Sequence, residues 1–151
     1  MWLDATLAYL HYMSIFMLFA LLTVQLVLIR EPLDERLVRR LGRIDIVYFV
    51  SAIAVLVTGF LRATLGAKGA DFYFSSWPIY VKLALFLAVG IISVKPTLTF
   101  IQWKRMYEKD PSWRVPGEEQ VRMRRLISIE VHIAALIALV AVIMARGLGH
   151  S

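Results

Sequence analysis

Two histidines lie inside long apolar stretches of this 151-residue chain. His11 lies in the run 5–29, which has no Asp, Glu, Lys or Arg, and His132 lies in the run 126–145. Imidazole nitrogens are common ligands of haem iron and of copper. The chain has no cysteine, which excludes disulfides and thiolate metal sites. The two histidines therefore make a haem or metal site the first hypothesis.

Other polar residues fall at the depth of His11. At 1.5 Å per residue, His11 is expected on the order of 10 Å below the membrane surface. Lys82 comes five residues after Trp77 and reaches a similar depth, while Arg62 ends the second apolar run at the same surface. We predict a cofactor-binding cluster of His11, Lys82, Arg62 and Ser14.

The two histidines are not expected to share one iron. Each lies about seven residues from the opposite end of its helix, so in a core of about 30 Å they differ in depth by on the order of 10 Å. Either each histidine serves a separate site or only one is a ligand. His11 is the preferred metal ligand because Lys82 matches its depth, and His132 is the weaker candidate.

Two acidic residues near the other membrane surface are predicted to be structural polar groups. Glu130 is two residues from His132 and points about 200° away from it, so one of the pair is expected to face the bundle. Asp45 follows the arginines of the first loop, and an ion pair with one of them is expected.

The composition indicates how these residues are held. Apolar residues make up 60% of the chain and charged residues 19%, whereas an average soluble domain is about 45–50% apolar and 25% charged. Four apolar segments, at about 5–29, 45–63, 78–103 and 125–146, are long enough to cross a bilayer. We predict an all-α integral membrane four-helix bundle that forms a single domain over 1–151.

Basic residues predict the orientation of the bundle. Twelve of the 17 Lys and Arg residues fall in 30–43 and 104–125, the segments after the first and third helices. Cytoplasmic loops are enriched in Lys and Arg, so both termini are expected on the non-cytoplasmic side. The positive net charge of +6 is then explained by loop residues that set the orientation in the membrane, and no nucleic-acid partner is expected. The expected partner is the lipid bilayer.

The chain resembles an uncharacterised family of bacterial four-helix membrane proteins. The residues that carry this resemblance extend over nearly the whole chain: Arg43, Asp45, Tyr48, Gly59, Arg62, the segment 66–74 (GAKGADFYF), Lys82, Ser93, Pro96, Thr97, Trp103 and 144–147. The resemblance implies a multi-pass protein of the bacterial inner (plasma) membrane and names no activity.

The layout is also distantly similar to the four-helix protoporphyrinogen oxidases that bind haem b and to the copper-resistance D membrane proteins. In the oxidases a first-helix His ligates haem and a Lys-Leu pair opens the third helix, which correspond here to His11 and Lys82-Leu83. Glu130 is placed like a Glu of the last oxidase helix. The later Tyr-His pair of the oxidases is absent, since residues 90–93 read Gly-Ile-Ile-Ser. This resemblance favours a haem site over porphyrinogen oxidation.

Three functions follow as hypotheses. The first is a haem-b protein, in electron transfer or as a haem-dependent oxidoreductase, with quinone, oxygen or a porphyrin-type partner. The second is copper handling, with His11 and the nearby Met13 and Met17 on one path. The third is an accessory subunit in which the polar residues serve helix packing. A homo-oligomer or a subunit of a larger membrane complex is expected.

Overall fold

The computed structural model describes residues 2–65 and 77–146, where the regular structure is α-helical. Four helices follow one another: α1 (Trp2–Leu28), α2 (Glu35–Leu65), α3 (Trp77–Lys109) and α4 (Gly117–Ala145). Each is long and apolar enough to cross a membrane, which confirms the predicted all-α class with four such helices. The segment 66–74, which carries part of the family resemblance, lies outside the described residues.

The helices extend beyond the apolar segments that predicted them. The charged residues before Asp45 belong to α2, which begins at Glu35. The Asp34 carboxylate accepts the backbone N–H of Leu37 at 2.7 Å and so caps this helix. Helix α4 similarly begins at Gly117, after Pro116, rather than near residue 125. Charged helical ends of this kind lie outside the apolar pattern, which therefore predicted the spans better than the helix ends.

The four helices form a ring. Helix α1 packs against α2 and α4, and α3 packs against the same two helices. Within the described residues the backbones of the diagonal pairs, α1 with α3 and α2 with α4, do not approach one another closely. Short connections join α1 to α2 and α3 to α4, which requires these neighbours to run antiparallel. The result is a four-helix bundle.

Those two short connections meet at one end of the bundle. The Gln120 side-chain amide donates to the Ile29 carbonyl at 2.8 Å, and the Tyr107 hydroxyl donates to the Leu33 carbonyl at 2.8 Å. The twelve clustered basic residues belong to these connections and the helix ends beside them. We call this the basic end of the bundle.

Tight packing supports the basic end. Trp103 is 1% exposed, and its indole N–H donates to the Glu119 carboxylate at 2.7 Å. A cluster of buried side chains from α2, α3, α4 and the first connection surrounds it: Ile29, Leu33, Val38, Leu41, Phe100, Tyr107, Met123 and Ile127. Burial of this much apolar surface anchors the helices to one another at this end.

The outward faces of the helices are apolar along their length. Large hydrophobic side chains are exposed on every helix, among them Phe16, Val50, Leu87 and Leu139. A water-soluble domain rarely exposes such continuous apolar surface. These faces therefore fit the hydrocarbon of a lipid bilayer.

Candidate functional site

His11 faces the interior of the bundle on α1. It is 4% exposed, and it shares the buried stripe of this helix with Leu18, Leu22 and Gln25. These residues are spaced by 7 or 3–4 positions, which places them on one face of the helix.

A hydrogen bond fixes the imidazole. His11 Nδ1 lies 3.0 Å from the Thr58 hydroxyl of α2. Thr58 has one hydroxyl hydrogen, which it donates to the Ala54 carbonyl at 2.6 Å. With its hydrogen directed there, the Thr58 oxygen is placed to accept one from His11 Nδ1, and an imidazole protonated at Nδ1 carries a lone pair on Nε2. This is the tautomer that a histidine needs in order to ligate a metal through Nε2.

Gly59 lets α2 approach the imidazole closely. A Cβ atom at this position would lie 3.0 Å from His11 Cε1, closer than almost any such contact in proteins. The side chain of any other residue would displace the ring. Thr58 and Gly59 thus form the surface of α2 against which the His11 ring packs, and residue types alone did not reveal it.

Beside His11 the helices enclose a cavity of about 420 Å³. All four helices line it, and its walls are almost wholly apolar, with Leu18, Phe86 and Ala134 as examples. Among the described residues, Lys82 is the one charged side chain of the lining. The predicted equal depth of His11 and Lys82 is reflected in this shared cavity, which we call the His11 cavity.

Arg62 lies next to the cavity without lining it. Its guanidinium stacks over the Tyr12 ring, with 5.1 Å from Cζ to the ring centroid. It is close enough to His11 and Lys82 for electrostatic interaction. The Arg62 Nε atom is buried, and among the described residues it has no hydrogen-bond partner. The arginine is therefore a second cation beside the cavity.

Ser14 does not join this group. Its hydroxyl donates to the Leu10 carbonyl of its own helix at 2.8 Å, and it is absent from the cavity lining. Serine in a membrane helix commonly closes such a bond with the preceding turn. Of the four predicted cofactor-binding residues, two line the cavity, one stands beside it and Ser14 lies apart.

His132 is in a different environment from His11. It is exposed on α4, its Nδ1 lies 2.6 Å from the Ser128 carbonyl, and it lines a separate surface depression with Arg124 and Arg125. Glu130, two residues away, is buried at 2% exposure. The expectation that one of this pair faces the bundle is confirmed, and it is the glutamate that does so.

The two acidic residues and their polar partners together come from all four helices. The Gln25 amide of α1 donates to Asp45 Oδ1 of α2 at 3.2 Å. The Ser93 hydroxyl of α3 lies 2.9 Å from the Tyr48 hydroxyl of α2 and 3.0 Å from Glu130 Oε2 of α4. We call these five residues the carboxyl network.

The expected ion pair of Asp45 with an arginine of the first loop does not form within the described residues, which include all five of those arginines. Asp45 is 5% exposed and takes the Gln25 amide as its donor instead. Helix α2 explains the difference, because it places the arginines on its preceding turns, where they are partly or fully exposed.

Copper ligands do not gather around His11. Met13 and Met17 are 45% and 49% exposed, and neither lines the His11 cavity. The described residues contain no group of three or more His, Cys, Asp or Glu that could hold a metal ion. The copper hypothesis stays a prediction without a ligand set in this part of the chain.

Comparison with known proteins identifies one family. The family described as "Predicted membrane protein (DUF2214)" matches residues 3–149. No curated protein and no solved structure gives a significant match.

Proposed function

The chain belongs to the DUF2214 family of membrane proteins, and from the His11 cavity we propose that it binds haem b and takes part in electron transfer in the membrane. One observation carries this proposal. The bond from His11 to Thr58 leaves a lone pair on Nε2 of an imidazole that lines an apolar cavity. A histidine kept neutral, oriented and away from water is suited to ligate haem iron.

The cavity also suits the rest of the group. Its volume of about 420 Å³ falls within the roughly 300–1,000 Å³ of small-molecule and cofactor pockets. The apolar walls match a porphyrin face, and the Lys82 ammonium matches a propionate carboxylate. Arg62, whose buried Nε has no partner among the described residues, is the second cation that propionates would find there.

Haem bound at this place supplies one-electron oxidation and reduction, with quinone, oxygen or a porphyrin-type molecule as the partner. The protein's own residues would bind and orient this group. His11 would ligate the iron, Thr58 would fix the His11 tautomer, and Lys82 and Arg62 would balance negative charge. Apolar residues such as Phe86 keep water away from the group.

The test is an optical spectrum of the full chain, expressed with ample haem and purified in detergent. We expect a Soret band and a reduced-minus-oxidised haem difference spectrum. His11→Ala removes the band because the axial ligand is lost, and Lys82→Met weakens haem retention because a propionate loses its cation. His132→Ala is the matched control and leaves the spectrum unchanged, since His132 lies outside the cavity.

Two results would overturn the proposal. Protein that shows no Soret band under these conditions does not bind haem. A band that survives in His11→Ala and disappears in His132→Ala assigns the ligand to the other histidine and removes the His11 cavity from the function.

We further propose that the basic end faces the cytoplasm of a bacterial inner membrane, with both termini on the other side. Clustering of twelve of the 17 basic residues near one end supports this orientation. The His11 cavity then belongs to the outer half of the membrane. Periplasm-active and cytoplasm-active reporters fused at the C-terminus test it, and activity of the cytoplasmic reporter alone would reverse it.

A further inference from the structure

A second buried site lies between the basic end and the His11 cavity. In the carboxyl network Glu130 is 2% exposed and Asp45 is 5% exposed. Neither forms an ion pair with any residue in 2–65 or 77–146. None of the five residues of the network lines the His11 cavity, so this site is independent of haem binding.

The two carboxyl groups differ in their partners. Asp45 accepts an N–H from Gln25 at 3.2 Å and interacts with the Thr97 hydroxyl as well. Among the described residues, the hydrogen-bonding neighbours of Glu130 are two hydroxyls, that of Ser93 at Oε2 and that of Tyr48. Its other oxygen, Oε1, is buried and has no hydrogen-bond partner among the described residues. The amide and hydroxyl donors at Asp45 favour a carboxylate there more than the surroundings of Glu130 do.

Three helices besides its own contribute titratable or polar groups around Glu130. Helix α2 contributes the carboxyl of Asp45 and the hydroxyl of Tyr48. From α3 Glu130 meets the uncharged hydroxyl of Ser93. Helix α1 contributes the Gln25 amide to the same network, and His132 of its own helix is exposed on another face. An ionised Glu130 would thus lie within electrostatic range of a second buried carboxyl group, in a region of low dielectric, with no cation among these groups.

We propose that the carboxyl network is a proton-binding site, with the proton held on Glu130 and the negative charge on Asp45. Two neighbouring carboxyl groups in an apolar medium do not both ionise without a counter-ion, and one of them keeps its proton. The unpartnered Oε1 and the lack of N–H donors identify Glu130 as the group that stays protonated.

The hydroxyl groups let the site hold or release this proton without moving the helices. Ser93 has a single hydroxyl hydrogen but three contacts, with Val89 O at 2.7 Å, Tyr48 at 2.9 Å and Glu130 Oε2 at 3.0 Å. When Ser93 donates to Val89, its oxygen accepts a hydrogen from protonated Glu130. When Glu130 is ionised, rotation of the Ser93 and Tyr48 hydroxyls supplies donors to the carboxylate. Both protonation states are therefore hydrogen-bonded by the same side chains.

Infrared spectroscopy of the full chain in lipid nanodiscs tests the site, because a protonated carboxylic acid has its own C=O stretch. We expect this band at neutral pH, where the carboxyl of a glutamate in water is ionised. Glu130→Gln removes it. Glu118→Gln is the matched control, since Glu118 is exposed on the same helix, and it leaves the band intact. Asp45→Asn still shows the band, but as the pH is raised the band disappears at a lower pH than in the unsubstituted protein, because a neighbouring negative charge is gone.

A second variant covers the case in which Glu130→Gln fails to fold. Ser93→Ala keeps both carboxyl groups and removes a hydrogen-bond partner of Glu130 Oε2, so the band shifts to higher frequency. A band unmoved by Ser93→Ala, or one that survives Glu130→Gln, overturns the proposal.

Sodium is the competing occupant. The unfolding temperature is measured in sodium chloride and in choline chloride at equal ionic strength. Equal values support a proton site. A rise specific to sodium that Glu130→Gln abolishes shows a bound metal cation and overturns the proposal.

Discussion

The two halves of the bundle differ in how closely their side chains pack. At the basic end the connections are tied together by Gln120 and Tyr107, and a closed core surrounds Trp103. In the other half all four helices line a cavity of about 420 Å³ in which His11 and Lys82 are the polar side chains among the described residues. The first half stabilises the fold, and the second half keeps open space that a small molecule could occupy.

The halves also treat buried polar groups differently. The carboxyl network holds two acidic groups among polar residues of α1, α2 and α3. In the cavity half, His11 and Lys82 line the cavity and Arg62 lies beside it, within electrostatic range of both. Acidic groups are thus buried in the carboxyl network and basic groups near the cavity, which separates the proposed proton site from the proposed haem site.

The largest expected effect is the loss of packing at the basic end. Trp103→Ala removes a side chain that is 1% exposed and lowers the free energy of unfolding by about 3–5 kcal/mol. Trp77→Ala is the matched control, because that side chain is 54% exposed, and it costs much less. Denaturant unfolding in detergent measures both. Equal losses would contradict the assignment of the stable core to the basic end.

The second effect concerns the cavity half. Thr58→Val removes the acceptor of the His11 Nδ1 hydrogen, and loss of such an outer-shell partner lowers metal affinity by roughly 10–100-fold. Haem titration of the purified protein measures the change. Thr64→Val is the control on the same helix, since the Thr64 hydroxyl bonds to its own helix at Phe60. Equal affinities for the two variants would show that Thr58 does not orient the ligand.

The third effect, in the carboxyl network, is smaller. Tyr48→Phe removes the hydroxyl that contacts Ser93 at 2.9 Å, and the loss of one hydrogen bond costs about 1 kcal/mol. Ser93 keeps its bond to Val89, which limits the loss. Tyr9→Phe, at an exposed position, is expected to have no effect on thermal unfolding. A cost above that of Trp103→Ala would mean that the network, rather than the core, stabilises the bundle.

The sequence predicted the features that depend on one helix at a time. Apolar length predicted the four helices, and the 3.6-residue period predicted that Glu130 and His132 point in different directions, so that one of them faces the bundle. It could not predict Thr58 or Ser93 as partners, because a hydroxyl in a membrane helix usually bonds to its own preceding turn. Here the Thr58 and Ser93 hydroxyls each bond to their own preceding turn, and each also lies within hydrogen-bond distance of a side chain on another helix.

Depth alone was an incomplete guide to the cavity. It grouped Lys82 correctly with His11, but it also included Ser14, whose hydroxyl bonds to Leu10. Arg62 has the expected depth, yet its side chain turns to the Tyr12 ring. The direction of a side chain around the helix and its local partners decide whether it reaches the cavity, and these depend on how the four helices pack.

Two glycines of α2 provide the smallest and most local comparison. A Cβ atom added at Gly42 would have nothing within 4 Å, whereas at Gly59 that atom would lie 3.0 Å from His11 Cε1. Alanine in a helix interior is favoured over glycine by roughly 0.5–1 kcal/mol. Gly42→Ala is therefore expected to raise the free energy of unfolding by up to about 1 kcal/mol without changing haem binding.

Gly59→Ala gains the same helical preference but must displace the imidazole by a few tenths of an ångström. We expect the two effects to offset each other in the free energy of unfolding, and haem affinity to fall because the ligand moves from its Thr58 partner. Unfolding and haem titration of the two variants separate these effects. Equal stabilisation by Gly59→Ala and Gly42→Ala, with equal haem affinity in the two variants, would show that the close packing of His11 against α2 has no functional role, since the ring could shift freely.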